Sequence, residues 1–224
     1  MTDDLRWFEQ ALGHRFADVA LLHQALTHRS AGGRHNERLE YLGDAALSLV
    51  IAEALYQRLP DAPEGHLSRL RANLVRRTAL APMAREIGIP LRLRLGPGEL
   101  KSGGFRRDSI LADALEALLG AVYLDGGIEA LRPVVVRLYG ARLDDLPPHE
   151  TLKDPKTRLQ ERLQAQGLAV PDYRVDTVEG EDHAQQFSVT CRVAALEAET
   201  RGHGRSRRAA EQAAAATMLV ELDD

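Results

Sequence analysis

Five acids in two short runs of this 224-residue chain have the spacing for shared chemistry. In Asn36-Glu-Arg-Leu-Glu-Tyr-Leu-Gly-Asp44, Glu37, Glu40 and Asp44 stand at i, i+3 and i+7, which puts them on one face of a helix. Leu39, Leu42 and Ala46 bound that face, so it runs close to the core, where an uncompensated carboxylate is costly. Asp113 and Glu116 repeat the i, i+3 spacing inside Ile110–Leu119, a run without lysine or arginine. Two such helices aimed at one point would make an oxygen-only site, which favours Mg²⁺ or Mn²⁺ over zinc. A divalent cation held there can activate water and stabilise charge on a phosphoryl group. Two plainer readings compete: amphipathic helices whose acids face water, or ion pairs with Arg38, Arg69 or Arg71.

The elements that would position these acids are legible as patterns. Leu39, Leu42, Ala46, Leu49, Val50 and Leu55 form one stripe with helical spacing, and Ile110, Leu111, Ala114, Leu115, Leu118 and Val122 form another. Breaks fall at Leu59–Pro63, at Gly88-Ile-Pro90 and across Gly96–Gly104. The Pro-Pro pair within the charged stretch Asp144–Glu150 marks a linker, residues 147–153. Beyond it the period changes. A helix from Pro155 to Gln166 stops at Gly167. Tyr173, Val175 and Thr177 alternate, as do Phe187, Val189, Cys191 and Val193, which is strand spacing. A turn at Gly180–His183 joins them. A third strand, Leu196–Thr200, ends at Gly202-His-Gly204, and an alanine-rich helix runs from Ser206 to Leu222. The expected fold is multidomain: an all-helical domain over residues 1–146, then an α-β-β-β-α domain of the α+β class over 154–224.

Composition narrows the partners. With 29 Lys+Arg against 33 Asp+Glu, the net charge of −4 excludes a uniformly basic nucleic-acid glue. The single cysteine, Cys191, excludes an internal disulfide and a cysteine zinc cage, fits a reducing compartment, and reads as a small core residue. No apolar stretch approaches the ~20 residues that span a bilayer. The acidic start Met1-Thr-Asp-Asp is unlike a signal peptide. The expectation is a cytoplasmic protein without a membrane partner. His28, His35 and His66 fit no metal motif and read as packing or hydrogen-bonding residues. Gly96–Gly104 lacks the Walker pattern, so no nucleotide cofactor is expected, and the neighbouring Lys101, Arg106 and Arg107 suit contact with a phosphate backbone.

Asn36–Asp44 resembles the signature of the bacterial ribonuclease III family, with Tyr41 where phenylalanine is more usual. Leu22–Ser30, Glu64–Arg71, Leu95–Gly104 and Asp108–Glu116 are similar to family segments in the family's order, so the resemblance spans nearly the whole chain. It implies an all-helical endonuclease domain in which Glu40, Asp113 and Glu116 bind Mg²⁺, with Mn²⁺ able to substitute. Asp44 and Glu116 match catalytic positions; Glu37 and Glu64 match auxiliary acids near the RNA. It further implies a two-fold homodimer formed through the helical domain, each protomer cutting one strand of double-stranded RNA to leave 5′-phosphate and 3′-hydroxyl ends. Precursors of ribosomal, transfer and messenger RNA are the implied substrates.

The α-β-β-β-α segment resembles a double-stranded RNA-binding domain, through Asp154–Glu161, Gly180–His183 and Gly204–Ala213. Such domains read A-form shape across two minor grooves and the phosphates between, over about 16 bp. Thr157, Gln160 and Glu161 carry groups suited to 2′-hydroxyl contact, and His183 is placed to enter the second groove. Arg205, Arg207 and Arg208 lie at a helix start, where free N–H groups also favour phosphate. Ala209 stands where related sequences often have lysine. Residues 151–224 hold ten Lys and Arg against 13 Asp and Glu, so binding must rest on a local basic patch and be salt-sensitive. The alternatives are a double-stranded RNA-binding regulator that does not cleave and, less in keeping with an RNA-binding module, a helical phosphohydrolase for small nucleotides.

Overall fold

The computed structural model describes residues 2–147, 153–181 and 185–223, with side chains from residue 6 onward. Residues 148–152 of the expected linker, and His183 with its neighbours in the expected turn, lie outside the described residues. The chain divides into two compact units, Met1–Leu146 and Pro147–Asp224.

The first unit contains the helices α1 (Thr2–Leu12), α2 (Val19–Ala25), α3 (Glu37–Arg58), α4 (Glu64–Val75), α5 (Arg77–Glu86), α6 (Pro97–Lys101) and α7 (Asp108–Tyr139). α7 is the axis, packed against α2, α3 and α5. Its Leu111, Leu115, Leu118, Leu119 and Val122 are buried, as are Leu47, Val50, Ile51 and Leu55 of α3. The expected α3 stripe is therefore rotated: Leu49 is 59% exposed, while Leu47 and Ile51 point inward. A helix this rich in leucine supports two neighbouring stripes, and only the packing partner selects one.

α3 and α7 cross at two glycines. A Cβ on Gly43 would lie 1.8 Å from the Glu116 carbonyl oxygen, and one on Gly120 would lie 2.2 Å from that of Leu39. The two backbones thus touch between the acid pairs they carry. Further along, α7 breaks at Gly127, whose φ of 71° is left-handed backbone. Just before the break, Asp125 accepts from the backbone N–H of Asp18 (2.8 Å) and Ala17 (3.0 Å) and from His14 Nε2 (2.8 Å), tying down the chain ahead of α2. Burial alone would raise the Asp125 pKa, but these donors hold it below its usual value. Trp7 of α1 donates to the Ile87 carbonyl (2.7 Å) with Arg92 stacked on its ring, 4.5 Å from the centroid. The stretch Gly96–Gly104 is not a plain break, because Pro97 opens α6 within it.

In the second unit β1 (Asp172–Glu179), β2 (Gln186–Val193) and β3 (Ala198–Gly204) form an antiparallel sheet of order β1-β2-β3. α8 (Pro155–Ala165) packs against α9 (Arg207–Glu221), which packs against β2 and β3. Asp154 and Ser206 cap the two helices by accepting from the N–H of Thr157 and Ala209. Leu159, Leu163, Cys191, Val193, Ala214, Ala215, Met218 and Leu219 form the core. Register pairs Tyr173 with Cys191 and Cys191 with Thr200, with a bulge between Val175 and Thr177. The third strand starts later and runs further than its pattern indicated. Ala194–Leu196 is a 3-10 turn, and Gly202 and Gly204 are strand residues. They are glycines because α9 leaves no room: a Cβ on Gly202 would lie 2.1 Å from the Ala214 nitrogen.

Candidate functional site

The glycine crossing brings the start of α3 beside the Asp113–Gly120 stretch of α7. One carboxylate oxygen each from Glu40, Asp113 and Glu116 lies within 4.8 Å of the others, the one such potential metal-binding group among the described residues. Asp44, one helical turn beyond Glu40 and exposed, is outside that trio, yet its charge bears on Glu116. Burial, then Asp44, Asp113 and Glu40, push the Glu116 pKa up to about 8. Glu40 is raised by burial, Asp113 and Glu37. Asp113 is raised by burial against the opposing fields of Arg77, His28 and Arg29. Four acids so placed repel one another, and Arg77 at the start of α5 offsets this only in part.

Among the sequence candidates, Glu37 is exposed and pairs with Arg29 at 3.2 Å, with His35 Nδ1 at 3.7 Å. Glu64 opens α4, accepts from Ser68 Oγ at 2.6 Å, and is not part of the oxygen cluster. His28 caps the 3-10 turn Arg29–Ala31 by accepting from the Ser30 N–H, and His66 is buried. Arg107 pairs with Glu99 at 2.6 Å and donates to Ser102 Oγ at 3.0 Å. Arg106 lies over the Phe105 ring, and Lys101 ends α6 exposed to solvent. A polar cavity of about 330 Å³ opens beside the cluster, with Glu40 and Asp113 in one wall. Sequence reasoning missed Arg77 and Arg29, because neither stands within a helical turn of the acids it faces.

All-oxygen donors, close spacing and acids pushed toward protonation suit a hard divalent cation, which would relieve the repulsion that burial creates. Glu40, Asp113 and Glu116 are the residues that could hold it.

In the second unit Gln160, Glu161, Arg205, Arg207 and Arg208 are exposed. Thr157 is half-buried and its hydroxyl donates to Asp154 (2.9 Å). Glu161 pairs with Lys153, and Arg207 Nε donates to Glu211 at 2.8 Å. Glu211, largely buried, also receives Lys156 Nζ at 2.6 Å, and that ammonium sits 4.2 Å from the Tyr173 ring centroid. One carboxylate therefore holds two cations, from α8 and α9, leaving a surplus positive charge at the paired helix starts. Lys156 was not among the sequence candidates.

Comparison with known proteins gives the same division. A ribonuclease-III-like family profile matches residues 18–143, and a double-stranded RNA binding motif matches residues 155–222. Ribonuclease 3 of Vibrio cholerae is 53% identical over 222 residues, covering 99% of both chains. Ribonuclease 3 of Pseudomonas aeruginosa is 55% identical, covering 99% of this chain and 97% of that one. The crystal structure of the ribonuclease III nuclease domain from Campylobacter jejuni superposes with a TM-score of 0.60 at 38% identity, over 64% of this chain and 98% of that domain. The helical unit with its carboxylate cluster and the mixed unit that follows it in the sequence are thus both accounted for by one lineage, and the chain belongs to the ribonuclease III family.

Proposed function

We propose that this endoribonuclease hydrolyses phosphodiester bonds in double-stranded RNA with Mg²⁺ as cofactor and Mn²⁺ as a working substitute, leaving 5′-phosphate and 3′-hydroxyl ends. The convergence of Glu40, Asp113 and Glu116 to within 4.8 Å carries the reading. A divalent cation bound there would supply charge neutralisation at the phosphoryl oxygens. Glu40, Asp113 and Glu116 would hold it, and Asp44, exposed and close enough for its charge to bear on Glu116, would accept the attacking water's proton at its carboxylate. Glu37 and Glu64 serve as auxiliary acids at the RNA. Thr157, Gln160 and Glu161 serve a minor groove, Arg205, Arg207 and Arg208 meet phosphate with Lys156 joining them, and His183, which lies outside the described residues, is the candidate for the second groove.

The proposed assembly is a homodimer of helical units. Tyr41, Leu49 and Tyr56 recur about two turns apart on α3, exposed by 82%, 59% and 73%, and Leu124 of α7 is exposed nearby. A row of large exposed apolar side chains of this kind suits an interface. A second Campylobacter jejuni nuclease-domain structure, 41% identical with a TM-score of 0.58, is described as having a region involved in dimer formation. The proposed setting is the cytoplasm, with precursors of ribosomal, transfer and messenger RNA as substrates; no helix among the described residues is long and apolar enough to cross a membrane.

The test is direct. The protein is incubated with a long RNA duplex and with single-stranded RNA, each in Mg²⁺ and in EDTA. Duplex cleavage only with Mg²⁺ is the expected result. Binding without cleavage under every condition would instead identify a regulator.

A further inference from the structure

Asn36 immediately precedes α3, a place where asparagine is favoured because its side chain caps the helix. Here it does not. Its φ of −82° and ψ of −14° are already helical, and its side chain makes no capping hydrogen bond. The residue is only 2% exposed, and its Nδ2 is buried without a hydrogen-bond partner among the described residues. An unsatisfied buried amide is costly and uncommon in folded proteins. Asn36 is among the residues that line the polar cavity that also contains Glu40 and Asp113, so a small turn of its amide would present Nδ2 there.

The charges around that cavity indicate what the amide is kept for. Arg29 is engaged by Glu37 and Arg107 by Glu99. Glu40 and Asp113 remain, and both belong to the proposed cation site. A cation held there draws in phosphate, whose non-bridging oxygens are acceptors without donors of their own. Asn36 supplies a neutral, buried donor at that place, without adding a charge that would compete with the cation.

We propose that Asn36 Nδ2 donates a hydrogen bond to a non-bridging oxygen of the substrate phosphate seated beside Glu40 and Asp113. The assignment rests on reading the chain as a metal-dependent nuclease for duplex RNA. It is tested with the full-length protein, Asn36→Ala and Asn36→Asp, on one RNA duplex at saturating Mg²⁺. The aspartate keeps the shape but offers only acceptors. Asn36→Ala should melt near the wild-type temperature while its kcat/KM falls on the order of 10²-fold, as when a single oxyanion donor is lost. Asn36→Asp, which adds a charge beside Glu40 and Asp113, should lose at least as much activity and should melt lower without Mg²⁺. Duplexes carrying sulfur, a weak acceptor, at one non-bridging position of the cleaved phosphate supply a second readout. The sulfur penalty for one diastereomer should be smaller in Asn36→Ala than in wild type, because the lost contact cannot be lost twice.

Wild-type kcat/KM in both variants would overturn the assignment. So would tighter Mg²⁺ binding by Asn36→Asp with cleavage retained, which would make Asn36 a cation ligand through Oδ1. A loss of melting temperature in Asn36→Ala with an unchanged sulfur penalty would make it structural. Failure of the wild-type protein to cleave overturns the broader reading and this one with it; indifferent variants of a cleaving enzyme overturn this one alone.

Discussion

Glu40, Asp113 and Glu116 in the helical unit and Asp154 and Glu211 in the mixed unit are acids set among packed elements, and Asp176 is an exposed acid on the sheet, yet the pKa values of the two groups move in opposite directions. Burial raises the first three, and fellow carboxylates raise Glu40 and Glu116 further. Burial also pushes Asp154 and Glu211 upward, but the Thr157 N–H and hydroxyl answer it for Asp154, and Lys156 and Arg207 answer it for Glu211. The Thr190 hydroxyl lowers Asp176. Asp125 shows that the difference is not one of domain, since three donors lower it inside the helical unit. One cluster has been left electrostatically incomplete and so requires a cation from outside. The others complete themselves, and around Glu211 the cations exceed the acid by one.

The contrast breaks first if Glu116 is dispensable. Glu116→Gln keeps the volume and removes a charged oxygen, so duplex cleavage should fall at least about 10²-fold, while duplex binding, measured in EDTA, stays near wild type. Wild-type turnover by this variant at saturating Mg²⁺ would remove the cluster from the chemistry.

A smaller effect concerns stability. A folded-state pKa raised from 4.5 to about 8 means that folded Glu116 holds a proton over a pH range where the unfolded chain has released it. Without metal, the helical unit should therefore lose stability as pH rises through that window. The open side of the cluster lets solvent screen the repulsion, so the loss should be about 2 kcal/mol rather than the full shift. Trp7 is the single tryptophan and is docked within this unit, so its fluorescence reports the melt. Mg²⁺ should restore stability mainly at the alkaline end, and a melting temperature insensitive to both pH and Mg²⁺ would contradict the comparison.

The mixed unit should respond with the opposite sign. A lowered pKa makes Glu211 stabilising at neutral pH, and that contribution disappears as pH falls through its folded-state value. Glu211→Gln should cost about 1–2 kcal/mol at pH 7, since it leaves Lys156 and Arg207 close together without their shared acid. Cys191, the single cysteine and fully buried in this unit, serves as reporter: its reaction with a thiol probe should speed up about tenfold in the variant. An unchanged rate would show that the shared acid contributes nothing. The smallest effect should come from Arg207→Ala with Arg208→Ala. Affinity for unrelated duplexes should fall by similar factors, and the salt dependence should flatten by up to about two contacts' worth. Wild-type binding across a salt titration would move recognition to Lys101, Arg106 and Arg107.

Periodicity carries only what a single element contains. It shows that Glu40 shares a helical face with Asp44, and Asp113 with Glu116, because spacing along one helix is fixed. It could not supply Arg77 or Arg29, which approach the acids from other elements, nor say that Leu47 rather than Leu49 faces inward. Gly43 and Gly120 are unremarkable until the two helices are known to touch. Gly202 and Gly204 read as a strand terminator because glycine usually interrupts strands; here the close approach of α9 is what excludes a side chain. Lys156 escaped notice because its importance comes from Glu211, 55 residues further along the chain.

The glycine crossing also bears on ion size. Side chains between two helices can repack to admit a wider gap, but contact between backbones leaves little room for adjustment. With Gly43 against Glu116 and Gly120 against Leu39, the distance between the two sets of carboxylates is set by the peptide chain itself. Mg²⁺ binds oxygen at about 2.0–2.1 Å and Ca²⁺ at about 2.3–2.6 Å with more ligands. A cradle of fixed width should tell such ions apart by radius, and a methyl group at either glycine would change that radius along with the fold.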